Sequence, residues 1–213
     1  MRTETTTRTL YTFNELQPDA QQKAIDSYSR TAGEFFDSAE YVYEDAADIA
    51  ELFGLDIRQR RKTRKDGTHF YDPAIYYSGF WSQGDGACFE GNYSYKPGAL
   101  AAVKQHIPLD TELHRIVIEL QHAQAANFYR IVASTKHSGH YCHSGCMSID
   151  LENSEDSYRA IQREDDFIQA LRDFADWIYN RLEDSYNYDT SEENARQYLE
   201  DSDNEYTEDG ERC

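Results

Sequence analysis

Apolar side chains recur at helical spacing in three long stretches of the chain. Ile161, Phe167, Ile168, Leu171, Phe174, Ala175, Ile178 and Leu182 fall at steps of three and four, with Trp177 and Tyr179 beside them. They predict a long amphipathic helix that covers a sheet. Phe35, Phe36, Ala39, Val42, Tyr43, Ala46, Ile49, Ala50 and Phe53 predict another over 34–53, ended by Gly54, a residue suited to the left-handed stop of a helix. Ala20, Ala24, Ile25 and Tyr28 mark a third, opened by Pro18 and running to about Arg30. Shorter helices are expected over 99–106, over 111–126 with Asp110 as its cap, and over 191–201 behind Ser191-Glu192-Glu193.

Between these stretches the period changes to two. Residues 9–13 predict a short strand. Residues 56–62 and 68–80 predict a hairpin turning at Lys65-Asp66-Gly67, and 87–95 a strand broken by Lys96-Pro97-Gly98. Residues 129–135 and 146–151 predict a second hairpin across the polar connection 137–145, pairing into the same sheet. No fixed-period repeat is present. The expected class is α+β: an antiparallel sheet of hairpins covered by long amphipathic helices, with an acidic C-terminal helical tail. Residues 1–188 are read as one domain and 189–213 as the acidic helix and tail, whose last dozen residues are expected to be disordered.

Charge adds a partner to this picture. The chain carries 40 Asp and Glu against 21 Lys and Arg, a net charge of -19, and residues 150–213 alone hold 21 acidic against 6 basic side chains. Glu34, Asp37, Glu40, Glu44, Asp45, Asp48 and Glu51 line the solvent side of the 34–53 helix, with no Lys or Arg between Thr31 and Ile57. Such a surface repels phosphates and anionic lipid, which excludes direct nucleic-acid or membrane binding, and attracts a basic protein. The carboxylates expected to contact it are Glu40, Glu44, Asp48, Glu51, Asp165, Asp166, Asp173, Asp176, Glu183, Asp184 and Glu200. Spaced along rigid helices with few compensating cations, such carboxylates can imitate the charge of duplex DNA. Interleaved Tyr179, Tyr186, Tyr188, Tyr198 and Tyr206 suit an interface. The basic island Arg58, Arg60, Arg61, Lys62, Arg64 and Lys65 is read as the charged edge of a hairpin that blocks strand-on-strand association.

No apolar run is long enough to span a bilayer, and the N-terminal residues are polar with no secretory segment. Together with four cysteines, at 88, 142, 146 and 213, this predicts a reducing cytoplasm.

The stretch Ser78-Gly79-Phe80-Trp81-Ser82-Gln83-Gly84-Asp85-Gly86-Ala87-Cys88-Phe89 presents Trp81, Gln83, Asp85 and Cys88 on a turn between strands. Its glycine spacing matches no phosphate-binding loop. Gly84-Asp85-Gly86 is also what a tight strand connection requires, and that structural reading is preferred. His137, His140, Cys142, His143 and Cys146 raise the question of zinc, but Cys142 and His143 point oppositely on a strand, and only His143 to Cys146 has the form of a ligand knuckle. A nucleophile, Cys88 with His143 or His140 as base, would require the two hairpins to meet. Core packing is the preferred role of Cys88. No catalytic residue, metal or cofactor is assigned. The alternative to a binding protein is a small enzyme or ligand-binding module built on Trp81, Gln83, Asp85, Cys88 and His143.

Ile75-Tyr76-Tyr77-Ser78-Gly79-Phe80-Trp81-Ser82-Gln83-Gly84-Asp85-Gly86-Ala87-Cys88-Phe89-Glu90-Gly91 resembles a family of phage, prophage and plasmid proteins often labelled "antitoxin of toxin-antitoxin stability system". Ile107-Pro108-Leu109-Asp110, Asp176-Trp177-Ile178-Tyr179 and Glu205-Tyr206-Thr207-Glu208-Asp209-Gly210 extend the likeness. The resemblance implies a mobile-element setting. Together with the charge it leads to the expectation of an acidic inhibitor, antidefence or antitoxin in kind, that blocks a basic, nucleic-acid-directed host protein in the host cytoplasm.

Overall fold

A computed structural model of the chain describes residues 2, 7–156 and 158–213. Its helices are α1 (Pro18–Glu34), α2 (Ala39–Leu52), α3 (Ala99–His106), α4 (Thr111–Ala126), α5 (Glu164–Asp189) and α6 (Glu192–Asp201). Its strands are β1 (Leu55–Ile57), β2 (Gln59–Thr63), β3 (His69–Pro73), β4 (Ile75–Tyr77), β5 (Ala87–Phe89), β6 (Gly91–Ser94), β7 (Ile131–His137) and β8 (Met147–Asn153). The expected α+β class is the observed one. Two compact units form, one from Met1–Ala39 with Asp184–Cys213 and one from Glu40–Glu183. The division therefore falls near residues 39 and 184, whereas the charge pattern placed it at 188.

In the larger unit the strands order as β1-β6-β7-β8, all antiparallel, while β2–β3 and β4–β5 are separate two-stranded ribbons. The expected single sheet is thus divided, and the cause is local. Single residues, Arg58, Ala74 and Glu90, interrupt β1–β2, β3–β4 and β5–β6, and their backbones bond in a ring. Arg58 N donates to Glu90 O (2.8 Å), Glu90 N to Ala74 O (2.9 Å) and Ala74 N to Arg58 O (2.7 Å). Three bends satisfy one another's peptide groups, so no ladder bond is left unmade where the strands change direction.

The long helix α5 covers the sheet as expected. Phe174 meets the edges of Phe53 (5.0 Å) and Phe89 (5.7 Å), and Phe167 meets Tyr93 (5.1 Å). Leu171, Ile178 and Leu182 are fully buried beside them, each contributing about 1.5–3 kcal/mol of apolar burial. Trp177 is buried too, its indole N–H donating to Asp110 Oδ2 at 2.8 Å. Asp110 Oδ1 accepts from Leu113 N (2.9 Å), which makes it the N-cap of α4, and Oδ2 also accepts from Arg181 (2.8 Å). One carboxylate therefore starts α4 and fastens it to α5. Gly54 ends α2 with φ +93°, where a Cβ would lie 2.1 Å from the Ser94 carbonyl oxygen.

The smaller unit packs Phe13, Leu16, Ala20, Ala24, Ile25, Ala195, Leu199 and Tyr206 into its own core. The strand expected over 9–13 is reduced to a bridge in which Tyr11 and Tyr206 exchange two backbone hydrogen bonds of 2.9 Å. The last dozen residues, expected to be disordered, are held by that bridge, by the buried Tyr206 ring and by Lys23 pairing with Asp209 and Glu211.

Candidate functional site

The sequence's acidic residues do not share one environment. On α2, Glu40, Glu44, Asp45, Asp48 and Glu51 are all exposed. Among the described residues none of the five forms an ion pair. Lys96, which approaches the end of this helix, donates to the backbone carbonyl of Glu51 (2.7 Å) and so caps the helix instead of pairing with a carboxylate. Beside the charged face lies a hollow of about 210 Å³ lined by Val42, Asp45, Ala46, Ile49, Ile107, Trp177 and Arg181, apolar except at its two charged walls.

The α5 carboxylates are used differently. Asp166 bonds Arg163 (2.8 Å), Asp173 bonds Arg115 (2.8 Å), and Asp165 is exposed. Asp176 is exposed on its outer side and lies near Ser144 and His143. Desolvation raises its pKa and those two neighbours oppose the shift. Glu183 is half-buried near Tyr179, whereas Asp184 and Glu200 are exposed in the smaller unit. The basic island is likewise partly answered at home. Arg60 and Lys62 both reach the buried Asp72 on the facing strand β3, and Arg58 bonds Glu90 (3.1 Å).

The glycine-punctuated turn and the loop 138–146 come together in the larger unit. Asp85 accepts from Ser82 N (2.6 Å), the turn-capping role preferred for it, while Trp81 and Gln83 are exposed. Gly86 passes so close to the loop that a Cβ there would lie 2.5 Å from His143 Cβ and 3.1 Å from the Cys142 carbonyl oxygen. The result is a cluster of thiols and imidazoles. Cys88 Sγ, Cys142 Sγ and a ring nitrogen of His137 all lie within 4.8 Å of one another. His143 Nε2 is 3.1 Å from Cys146 Sγ, and its Nδ1 accepts from Gly145 N (3.1 Å), so the Nε2 proton points at the sulfur.

The pairing considered for nucleophilic chemistry is not the one that forms. His143 serves Cys146, and His140 is exposed against the Tyr141 ring. Cys88 is completely buried, and burial first, then Cys142 and Cys146, pushes its thiol far above the ordinary range, which disfavours the thiolate a nucleophile needs. Sequence reasoning missed the Cys88, His137 and Cys142 grouping. Its signals were the Cys142-x3-Cys146 spacing, which falls within the range of metal-ligand knuckles, and two glycines that make room for a neighbouring loop.

Among the described residues no helix is long and apolar enough to cross a membrane. No curated protein and no solved structure matches the chain. Residues 39–192, more than two thirds of the sequence and inclusive of α2 and the thiol-imidazole cluster, match a family model described as a domain of unknown function (DUF8835), and the chain belongs to that family.

Proposed function

We propose that the protein binds a basic, nucleic-acid-directed protein through the carboxylate face of α2 and occupies the groove in which that partner holds phosphates. The observation that carries this is the set of five exposed α2 carboxylates without an ion-pairing cation among the described residues. Glu40 to Glu51 spans about 16 Å of helix, so the five charges fall on average about every 4 Å, comparable with the ~3.4 Å per phosphate along one DNA strand. The apolar hollow beside Asp45 suits the aliphatic stem of a partner Lys or Arg whose charged head meets that carboxylate. An inhibitor of the antidefence or antitoxin kind, acting in a host cytoplasm, is the role that such a face fits.

The test combines Glu40→Lys, Glu44→Lys, Asp48→Lys and Glu51→Lys in one chain. The immobilised parent protein captures a basic DNA- or RNA-binding protein from bacterial lysate at low salt, releases it as salt rises, and loses it to competing duplex DNA. The variant keeps its circular dichroism and captures none of it. Equal capture by the variant, or indifference to duplex DNA, rules the proposal out.

A further inference from the structure

The grouping of three thiols and an imidazole has a chemistry that anionic binding does not use. Cys88 comes from β5, His137 from the end of β7, and Cys142 and Cys146 from the loop between β7 and β8. Three donor atoms within 4.8 Å of one another need only small side-chain movements to surround one ion, since tetrahedral zinc holds sulfurs at about 2.3 Å and hence about 3.8 Å apart. The tautomer of His137 is fixed by its hydrogen bond. Its Nε2 bonds the Tyr141 carbonyl oxygen at 3.0 Å, and a carbonyl only accepts, so Nε2 carries the proton and Nδ1 is left with the lone pair that a metal ion would take. Cys146 ends the short 3-10 turn Ser144–Cys146, four residues after Cys142, and that turn packs against β5, the strand that carries Cys88. The His143 N–H directed at Cys146 is the kind of outer hydrogen bond that steadies a metal-bound thiolate.

We propose that Cys88, Cys142, Cys146 and His137 form a structural zinc site that clamps the 138–146 loop onto β5. A closed set of three sulfurs and one nitrogen leaves no open position for substrate, which makes the site structural. Zinc is favoured over an iron–sulfur cluster because those clusters draw on four cysteines and this set has three. A Cys88–Cys142 disulfide is the competing use of the pair. Both cysteines are free in this structure, and a disulfide gives no role to His137 or Cys146. The glycines agree with a clamp, because Gly84 and Gly86 let the loop seat directly on the turn, where a side chain at either would strike Tyr141 or His143.

The full chain, produced in zinc-supplemented medium and kept reduced, is expected to carry one zinc per molecule by elemental mass spectrometry. Cys142→Ser and His137→Ala each lose most of it. These two carry the decision, because Cys88 is buried and Cys88→Ser disturbs packing as well as ligation. Cys213→Ser retains the metal. His143→Ala retains the stoichiometry but yields zinc to a chelator about 10–100-fold more readily, as expected of an outer partner. Cobalt titrated into metal-free protein gives the intense visible bands of tetrahedral thiolate coordination, weakened in Cys142→Ser. A reduced parent protein that takes up neither zinc nor cobalt, or full zinc occupancy in both Cys142→Ser and His137→Ala, overturns the proposal.

Discussion

Helices α2 and α5 carry carboxylates at similar density, yet they differ in what surrounds them. Around α5 there are cations to answer the charge: Arg115 takes Asp173 and Arg163 takes Asp166. Along α2 the sequence supplies no cation from Thr31 to Ile57, and none is brought in by the fold to pair with its side chains among the described residues. The contrast shows that an acidic count is not an acidic surface. Neighbouring arginines decide which carboxylates hold the fold together and which remain available to a partner.

The largest effect that separates the two classes is expected at Asp110. Asp110→Ala removes a helix cap and the acceptor of Trp177 and Arg181, so urea unfolding should show a loss of about 2–4 kcal/mol. Asp48→Ala on α2 should stay within about 0.5 kcal/mol. The pH dependence sharpens this. Burial acts to raise the Asp110 carboxyl, but Leu113 N, Trp177 and Arg181 together hold it below its ordinary value. A lowered folded-state pKa gives stability that is complete above the unfolded-state value near about 3.9 and is lost as pH falls through the folded value. The stability gap between the parent protein and Asp110→Asn should therefore be full at neutral pH and shrink in acid below about pH 4. A gap that does not change with pH would assign the effect to packing.

Next in size is the Arg115 and Asp173 pair, which is half-exposed on the arginine side. A double-mutant cycle with Arg115→Gln and Asp173→Asn should give a coupling of about 0.2–1 kcal/mol that weakens with salt. Smallest is the folding effect of neutralising α2. Combining Glu40→Gln, Glu44→Gln, Asp48→Asn and Glu51→Gln should leave stability unchanged or raise it by a few tenths of a kcal/mol at low salt, because like charges one turn apart repel by roughly 0.2–0.5 kcal/mol per pair. A marked loss of stability would mean that these carboxylates are structural after all.

Much of the helical layer was legible in the sequence because its signals are local. The stripe from Phe167 to Leu182, the Asp110 cap, and Gly54 behind α2 each depend on residues within a turn or two of one another. What was not legible depends on distant partners. The ring of bonds among Arg58, Ala74 and Glu90 breaks three strands at positions where the period-two pattern continues, so the pattern alone read them as unbroken. Tyr11 and Tyr206 pair across nearly the whole chain, which brings the two termini into one unit and orders a segment whose composition reads as tail. The thiol cluster escaped for the same reason, since Cys88 lies far in sequence from His137 and Cys142 and meets them only where Gly86 admits the loop.

Binding measured against salt tests the central point most directly. With the captured basic protein as partner, the parent chain should lose affinity steeply as ionic strength rises, and the variant neutralised at Glu40, Glu44, Asp48 and Glu51 should bind at least about tenfold more weakly at low salt, a difference of about 1.4 kcal/mol, with a much flatter salt response. Identical affinity and identical salt response in the two chains would contradict a role for the α2 face.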